Sequence, residues 1–168
     1  MASFSGFEEI VKTGEPLAPH TWFGLGGPAQ FFAEPQSVEQ LQALVVRAKD
    51  SGLPMRLLGG GSNLLVRPEG VPGLVIHLSA PVFSRIEVRG NEVVAGAGAK
   101  LGHVISTSIR EGLGGLETLV GIPGTIGGAL HGNAGSRGRR ILRGHWLISI
   151  YFVCMDSNMP AEIWEYLM

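Results

Sequence analysis

The chain is short of cysteine, short of charge and without a long apolar run, and each shortage removes a class of protein. A single cysteine, Cys154, in 168 residues excludes an internal disulfide and fits a reducing compartment. Charged residues are only 16% of the chain and the formal net charge is -1, which argues against a disordered tail and against the basic footprint of a nucleic-acid binder. Aromatic and basic residues do not interleave along any stripe, so nucleic acid is not an expected partner. The longest apolar run, residues 146–155 interrupted by Ser149, reaches about half of the roughly 20 residues that span a bilayer, so no membrane span is expected. The N-terminal MASFSGFEEIVKTGEP lacks the basic-then-apolar order of a secretory signal, and the expected location is cytoplasmic. No Gly-Lys-Ser/Thr occurs anywhere, so a Walker loop is excluded.

What the chain has in excess is glycine. It holds 26, of which 25 precede residue 141, in discrete clusters between apolar segments rather than as low-complexity filler. The most concentrated cluster lies in RLLGGGSNLLV, residues 56–66. Successive main-chain N–H groups in such a turn can converge on one anion, with Ser62 and Asn63 adding donors. A strained strand-to-strand turn without a ligand is an equally good reading of this stretch alone. The dinucleotide fingerprint fails here, because Leu64 stands where its third glycine belongs and LLVRPEGVPG follows instead of a helix. A second cluster, GLETLVGIPGTIGGALHGNAG (115–135), carries little side-chain bulk around Pro123 and Thr125, so an extended ligand can lie against it. Close packing of a glycine-rich helix is the competing explanation. A third, HTWFGLGGPAQFF (20–32), sets Thr21, Trp22 and Phe23 ahead of its glycines.

Between these clusters the pattern predicts an α+β fold. Residues 4–12 fit a short amphipathic helix through Phe7, Ile10 and Val11. AQFFAEP (29–35) fits a strand stopped by Pro35, and 37–52 a helix with Ser37 as N-cap, Gln40 at the reciprocal capping position and Gly52 as terminator. PMRLLG (54–59) predicts a buried strand, so the unit is strand, helix, strand with a parallel crossover. NLLV, GLVIHL (73–78), FSRIEVRG (83–90) and EVVAGAG (92–98) predict short strands, the last two joined by a hairpin at Arg89-Gly90-Asn91. Residues 100–112 return to helical spacing through Leu101, Val104, Ile105, Ser108 and Ile109. Residues 116–132 predict a second helical stretch broken at Pro123. The expected division is a small α/β lobe at 1–66, an α+β lobe at 67–138 and a tail at 139–168.

In their order and spacing, TWFGLGGPAQFF, LLGGGSNLLV, GAGAKLGHVI, GLGGLETLVGIPGTIGGAL and GNAG closely resemble the FAD-binding portion of the UDP-N-acetylenolpyruvoylglucosamine reductase family. The resemblance covers roughly residues 18–138, and the pairing of GGGSN with GIPGTIGGA is its specific part. It implies a two-lobed FAD-binding fold of the vanillyl-alcohol-oxidase type, here with the second lobe incomplete. It also implies that NADPH reduces the flavin, which passes hydride to UDP-N-acetylglucosamine-enolpyruvate to give UDP-N-acetylmuramate for peptidoglycan synthesis. By motif, Gly59, Gly60, Gly61, Ser62, Asn63 and Leu64 would line the pyrophosphate. Gly121, Ile122, Pro123, Gly124, Thr125, Gly127 and Gly128 would lie along the flavin and ribityl part.

The resemblance names no catalytic residue in this chain. The family's arginine beyond the NAG motif stands in a Tyr-Arg-Ser context absent here, and Arg137, Arg139, Arg140 and Arg143 are better explained as solvated charge. The family's later serine and glutamate have no place before Met168. The tail differs in texture: residues 141–168 hold one glycine, two of three tryptophans, both tyrosines and three of five methionines. The expectation is a truncated or frame-shifted product, inactive alone. A non-catalytic FAD-binding module and another flavin oxidoreductase of the same fold remain as alternatives. His77, His103 and His131 lack metal-ligand spacing and no metal is expected. Glu117 is expected only to cap or orient the loop that follows it.

Overall fold

The computed structural model describes residues 4–136 and 139–141. Four strands form the first sheet: β1 (Val11–Pro16), β2 (Pro28–Ala33), β3 (Met55–Leu58) and β4 (Val71–His77), in the order β1-β2-β4-β3. β1 is antiparallel to β2, while β2 and β3 both run parallel to β4. Helix α1 (Val38–Asp50) connects β2 to β3 and lays Leu41, Leu44, Val45 and Ala48 on Ala33, Leu74 and Ile76. The opposite face of the sheet buries Phe32, Leu58 and Val75 with Leu17 and Ala29. β4 is thus buried on both faces, which is why its sequence reads as a near-continuous apolar run.

The ends of α1 follow from its residues. The Ser37 hydroxyl accepts from the Gln40 N–H at 3.3 Å, and Gly52 leaves the helix at φ +62°. The Gln40 side chain reaches back one residue further than a capping box requires and accepts from the Gln36 N–H at 2.7 Å. Between Ala29 and Phe31 the register with β4 shifts by one residue; Gly73 takes φ +91° there, and its N–H is received by the Gln30 side chain at 2.8 Å.

The second lobe is built from the hairpin β5 (Ile86–Arg89) and β6 (Glu92–Ala95), helices α2 (Leu101–Arg110) and α3 (Ile126–His131), and the short pair β7 (Gly135–Ser136) and β8 (Arg139–Arg140). Its core gathers Val93, Ala95, Leu101, Val104, Ile105, Leu116, Leu119, Ile126, Ala129 and Ile141. Single 3-10 turns lie at Ala18–His20, Pro81–Ser84 and Glu117–Leu119 among the described residues. Ser108 is fully buried in α2 and satisfies its hydroxyl on the Val104 carbonyl at 2.9 Å.

The predicted helices at 37–52 and 100–112, the hairpin and the strands at 29–35, 73–78 and 92–98 are present, and other expectations change. Residues 4–12 form turns that lead into β1, not a helix. A one-to-two-turn helix is marginal in water, while pairing with β2 satisfies the backbone; Phe7, Ile10 and Val11 still reach the first core. β3 is an edge strand with Arg56 and Leu57 exposed, not a buried one, because β4 enters between it and β2. NLLV is loop, with Leu65 76% exposed. Ile109 falls off the buried stripe of α2. The first sheet also runs past residue 66, since β4 belongs to it. Of the tail from residue 139, all but three residues lie outside the described part. Among the described residues no helix is long and apolar enough to cross a membrane.

Candidate functional site

The two main glycine clusters, some 60 residues apart, meet. The first follows β3 directly; the second joins the Glu117–Leu119 turn to α3. A Cβ on Gly60 would sit 3.1 Å from the Gly124 Cα, and one on Gly59 would sit 2.6 Å from the Thr125 hydroxyl oxygen. The Ser62 hydroxyl donates to the Pro123 carbonyl at 3.3 Å, and a Cβ on Gly124 would sit 3.0 Å from the same hydroxyl oxygen. Gly61 adopts φ +64°, and any side chain there would overlap the His20 carbonyl oxygen. Across that contact the Trp22 N–H donates to the Gly61 carbonyl at 3.1 Å. The three glycines are therefore small because protein lies against each of them, two against the second loop and one against the third cluster.

The second loop is held from behind by residues 97–101. The Leu101 N–H donates to the Gly124 carbonyl, the Ile126 N–H to the Ala99 carbonyl and the Gly127 N–H to the Ala97 carbonyl, at 2.9–3.0 Å. Thr125 caps α3, its hydroxyl accepting from the Gly128 N–H at 3.3 Å. Ile122 packs on the second core, and Gly127 is small because Ala97 lies beside it. Gly121 takes φ +85° in open surroundings. Glu117 caps the preceding turn, its carboxylate receiving the Gly115 N–H at 2.8 and 2.9 Å.

The donors are the part of this arrangement that protein does not use. Among the described residues, no protein acceptor receives the main-chain N–H of Gly60, Gly61, Ser62, Asn63 or Leu64, nor those of Gly124 and Thr125. Gly60, Asn63, Leu64, Gly121 and Pro123 are exposed. A run of free N–H donors on a glycine turn, faced by a second turn with two more, suits an extended anion such as a pyrophosphate. The residues present thus fit the phosphate part of FAD. Exposed Trp22, bonded through its N–H to Gly61, and exposed Leu64 and Leu65, which follow the glycines in sequence, offer apolar surface beside the turn. Among the described residues no group of three or more His, Cys, Asp or Glu could hold a metal ion.

Residues 29–157 match the family model described as FAD binding domain. The chain belongs to this FAD-binding family. It is 52% identical over 132 residues to a UDP-N-acetylenolpyruvoylglucosamine reductase of Rhodopirellula baltica, covering 79% of this chain and 43% of the relative. With the reductase of Geobacter sulfurreducens the identity is 46% over 134 residues, covering 80% and 44%. The chain therefore spans less than half the length of these relatives. The crystal structure of the Thermus caldophilus reductase superposes with a TM-score of 0.61 at 38% identity, over 77% of this chain and 44% of that one. A solvent-stable cholesterol oxidase superposes with a TM-score of 0.59 at 19% identity, over 78% and 26%, and shares the fold. The α+β, two-lobed architecture expected from the sequence is shared with these structures.

Sequence reasoning missed the back of the site. The His20 carbonyl, the Trp22 N–H, the Ala97 and Ala99 carbonyls and the Leu101 N–H are main-chain groups, which residue type does not announce. The signal that remained was the glycines themselves, since Gly59, Gly60, Gly61 and Gly127 each mark a place where another segment comes close.

Proposed function

We propose that this chain is the FAD-binding part of a UDP-N-acetylenolpyruvoylglucosamine reductase, acting in peptidoglycan precursor synthesis in the cytoplasm. The observation that carries this reading is the meeting of the two glycine loops with their N–H donors unspent. In it, the N–H groups of Gly60 to Leu64 donate to the pyrophosphate, joined by Asn63 and by the Ser62 hydroxyl, whose one proton turns from the Pro123 carbonyl to the anion. The exposed Gly121, Pro123 and Gly128 leave room for the flavin and ribityl part along this loop, with Thr125 and residues 97–101 keeping it in place. Bound FAD supplies hydride transfer, taken from NADPH and delivered to the enolpyruvyl group of UDP-N-acetylglucosamine-enolpyruvate. We place the division between the lobes after β4 rather than at residue 66, because the first sheet closes there.

No described side chain is assigned a catalytic role, so binding and turnover separate. The visible spectrum of the purified chain tests the first: flavin absorbance that survives gel filtration supports the assignment, and a folded, colourless chain that takes up no added FAD contradicts it. NADPH consumption in the presence of the enolpyruvyl substrate tests the second, and no turnover is expected from this chain alone.

A further inference from the structure

Residues 18–27, 59–64, 96–101 and 115–132, which together build the site, hold one lysine and no arginine. That lysine, Lys100, is exposed, and among the described residues no carboxylate forms an ion pair with its ammonium. Its position also offends a local rule. Lys100 is the N-cap of α2, with extended backbone and no side-chain hydrogen bond to the first turn. Serine, threonine, asparagine or aspartate stabilises such a position, while a cation there opposes the positive end of the helix. The stability of α2 therefore does not account for the lysine, and residues that break local preference collect at functional places.

The backbone fixes the side on which this charge lies. Lys100 stands opposite Thr125 in an isolated antiparallel bridge, next to the Leu101 N–H that donates to the Gly124 carbonyl at 3.0 Å. Both residues are extended, and facing residues of an antiparallel pair send their side chains to the same side, with Cβ atoms about 5 Å apart. The Thr125 hydroxyl oxygen lies 2.6 Å from the place a Gly59 Cβ would take, so that side is the side of the first glycine turn. The four-carbon stem of Lys100 carries its ammonium out past the Thr125 hydroxyl. Within its reach are the free N–H groups of Gly124 and Thr125, faced by those of the first turn. Main-chain donors offer partial charges only, whereas the pyrophosphate of FAD is doubly negative.

We propose that Lys100 is a phosphate-binding residue of this site, its ammonium neutralising one charge of the FAD pyrophosphate that the two glycine loops hold by hydrogen bonds; this rests on the FAD reading above. FAD titrations followed by flavin fluorescence, at about 0.02 M and about 0.5 M salt, test it. The natural chain binds more weakly at high salt. Lys100→Ser binds about three- to tenfold more weakly at low salt and loses most of the salt dependence, and Lys100→Arg keeps both. Because Lys100→Ser supplies an N-cap hydroxyl, its urea midpoint rises, which separates a lost ligand contact from a damaged fold. Acetylation of Lys100, read by peptide mass spectrometry with Lys12 and Lys49 as internal references, slows when FAD is bound and not in the presence of riboflavin, which lacks the pyrophosphate. Lys100→Ser with the FAD affinity and salt dependence of the natural chain, or acetylation of Lys100 undiminished by bound FAD, would overturn the proposal and leave the FAD site in place. A natural chain that binds no FAD at either salt would overturn the FAD reading, and this proposal with it.

Discussion

Replacing Gly61 by alanine tests whether the glycine turn is set by packing against the rest of the protein. Two separate penalties apply at this position. A non-glycine residue at φ +64° costs about 1–2 kcal/mol. The added methyl also overlaps the His20 carbonyl oxygen and crowds the Thr21 Cα, both main-chain atoms that cannot swing aside, which adds about 1–3 kcal/mol by comparison with overpacked cores. Gly52 supplies the control: its φ is +62° and a Cβ there meets nothing within 4 Å, so Gly52→Ala carries only the first penalty. The difference between the two variants therefore isolates the contact. Urea unfolding followed by far-ultraviolet circular dichroism should show Gly61→Ala less stable than Gly52→Ala by about 1–3 kcal/mol, with equal m-values. That is a large share of the about 5–15 kcal/mol that holds a domain together. Equal midpoints for the two variants would refute the claim that the third cluster packs against the turn.

Thr125→Ala should cost about 1 kcal/mol in the same assay through loss of the α3 cap, with Thr125→Ser close to the parent. Ser62→Ala removes one long hydrogen bond to Pro123, so its stability change should stay near about 0.5 kcal/mol. Its FAD affinity, measured by flavin fluorescence, should nonetheless fall, since in the proposed complex the hydroxyl turns its proton from Pro123 to the pyrophosphate. For Glu34 the folded pKa is depressed below 4.5, so its contribution is present above that value and is lost as the pH falls through the folded value. Glu34→Gln should accordingly flatten the acid limb of a stability-against-pH curve, and an unchanged limb would remove Glu34 from the account. Leu101→Ala, at a fully buried position of the second core, should cost about 2–5 kcal/mol and disturb the 97–101 segment behind the second loop.

Much of this was legible because period and punctuation agreed. In α1 the stripe Leu41, Leu44, Val45 and Ala48 coincides with a Ser37 cap and a Gly52 stop, so local and tertiary preferences point the same way. The hairpin at Arg89-Gly90-Asn91 was equally plain, Gly90 supplying φ +60° in a two-residue loop. The N-terminal segment was misread because Phe7, Ile10 and Val11 suit a helix face as well as turns that dock on the first core, and only the presence of β2 decides between them. The exposure of β3 is invisible in MRLL, since it depends on β4 pairing on one side only. At the site, the sequence suggested that the glycines make room for a ligand, whereas the neighbour that lies against Gly59, Gly60, Gly61 and Gly127 is protein. The main-chain donors left over are what a ligand can use.

The most direct test of the central claim is an amide-resolved titration of the folded chain with FAD, run beside riboflavin, which lacks the pyrophosphate. If the two glycine loops seat the cofactor, FAD binds at one saturable site and shifts the amides of Gly60 to Leu64 together with Gly124 and Thr125, while riboflavin leaves the first group unmoved. A folded chain that binds neither compound, or that binds FAD with its shifts away from both loops, would contradict the account.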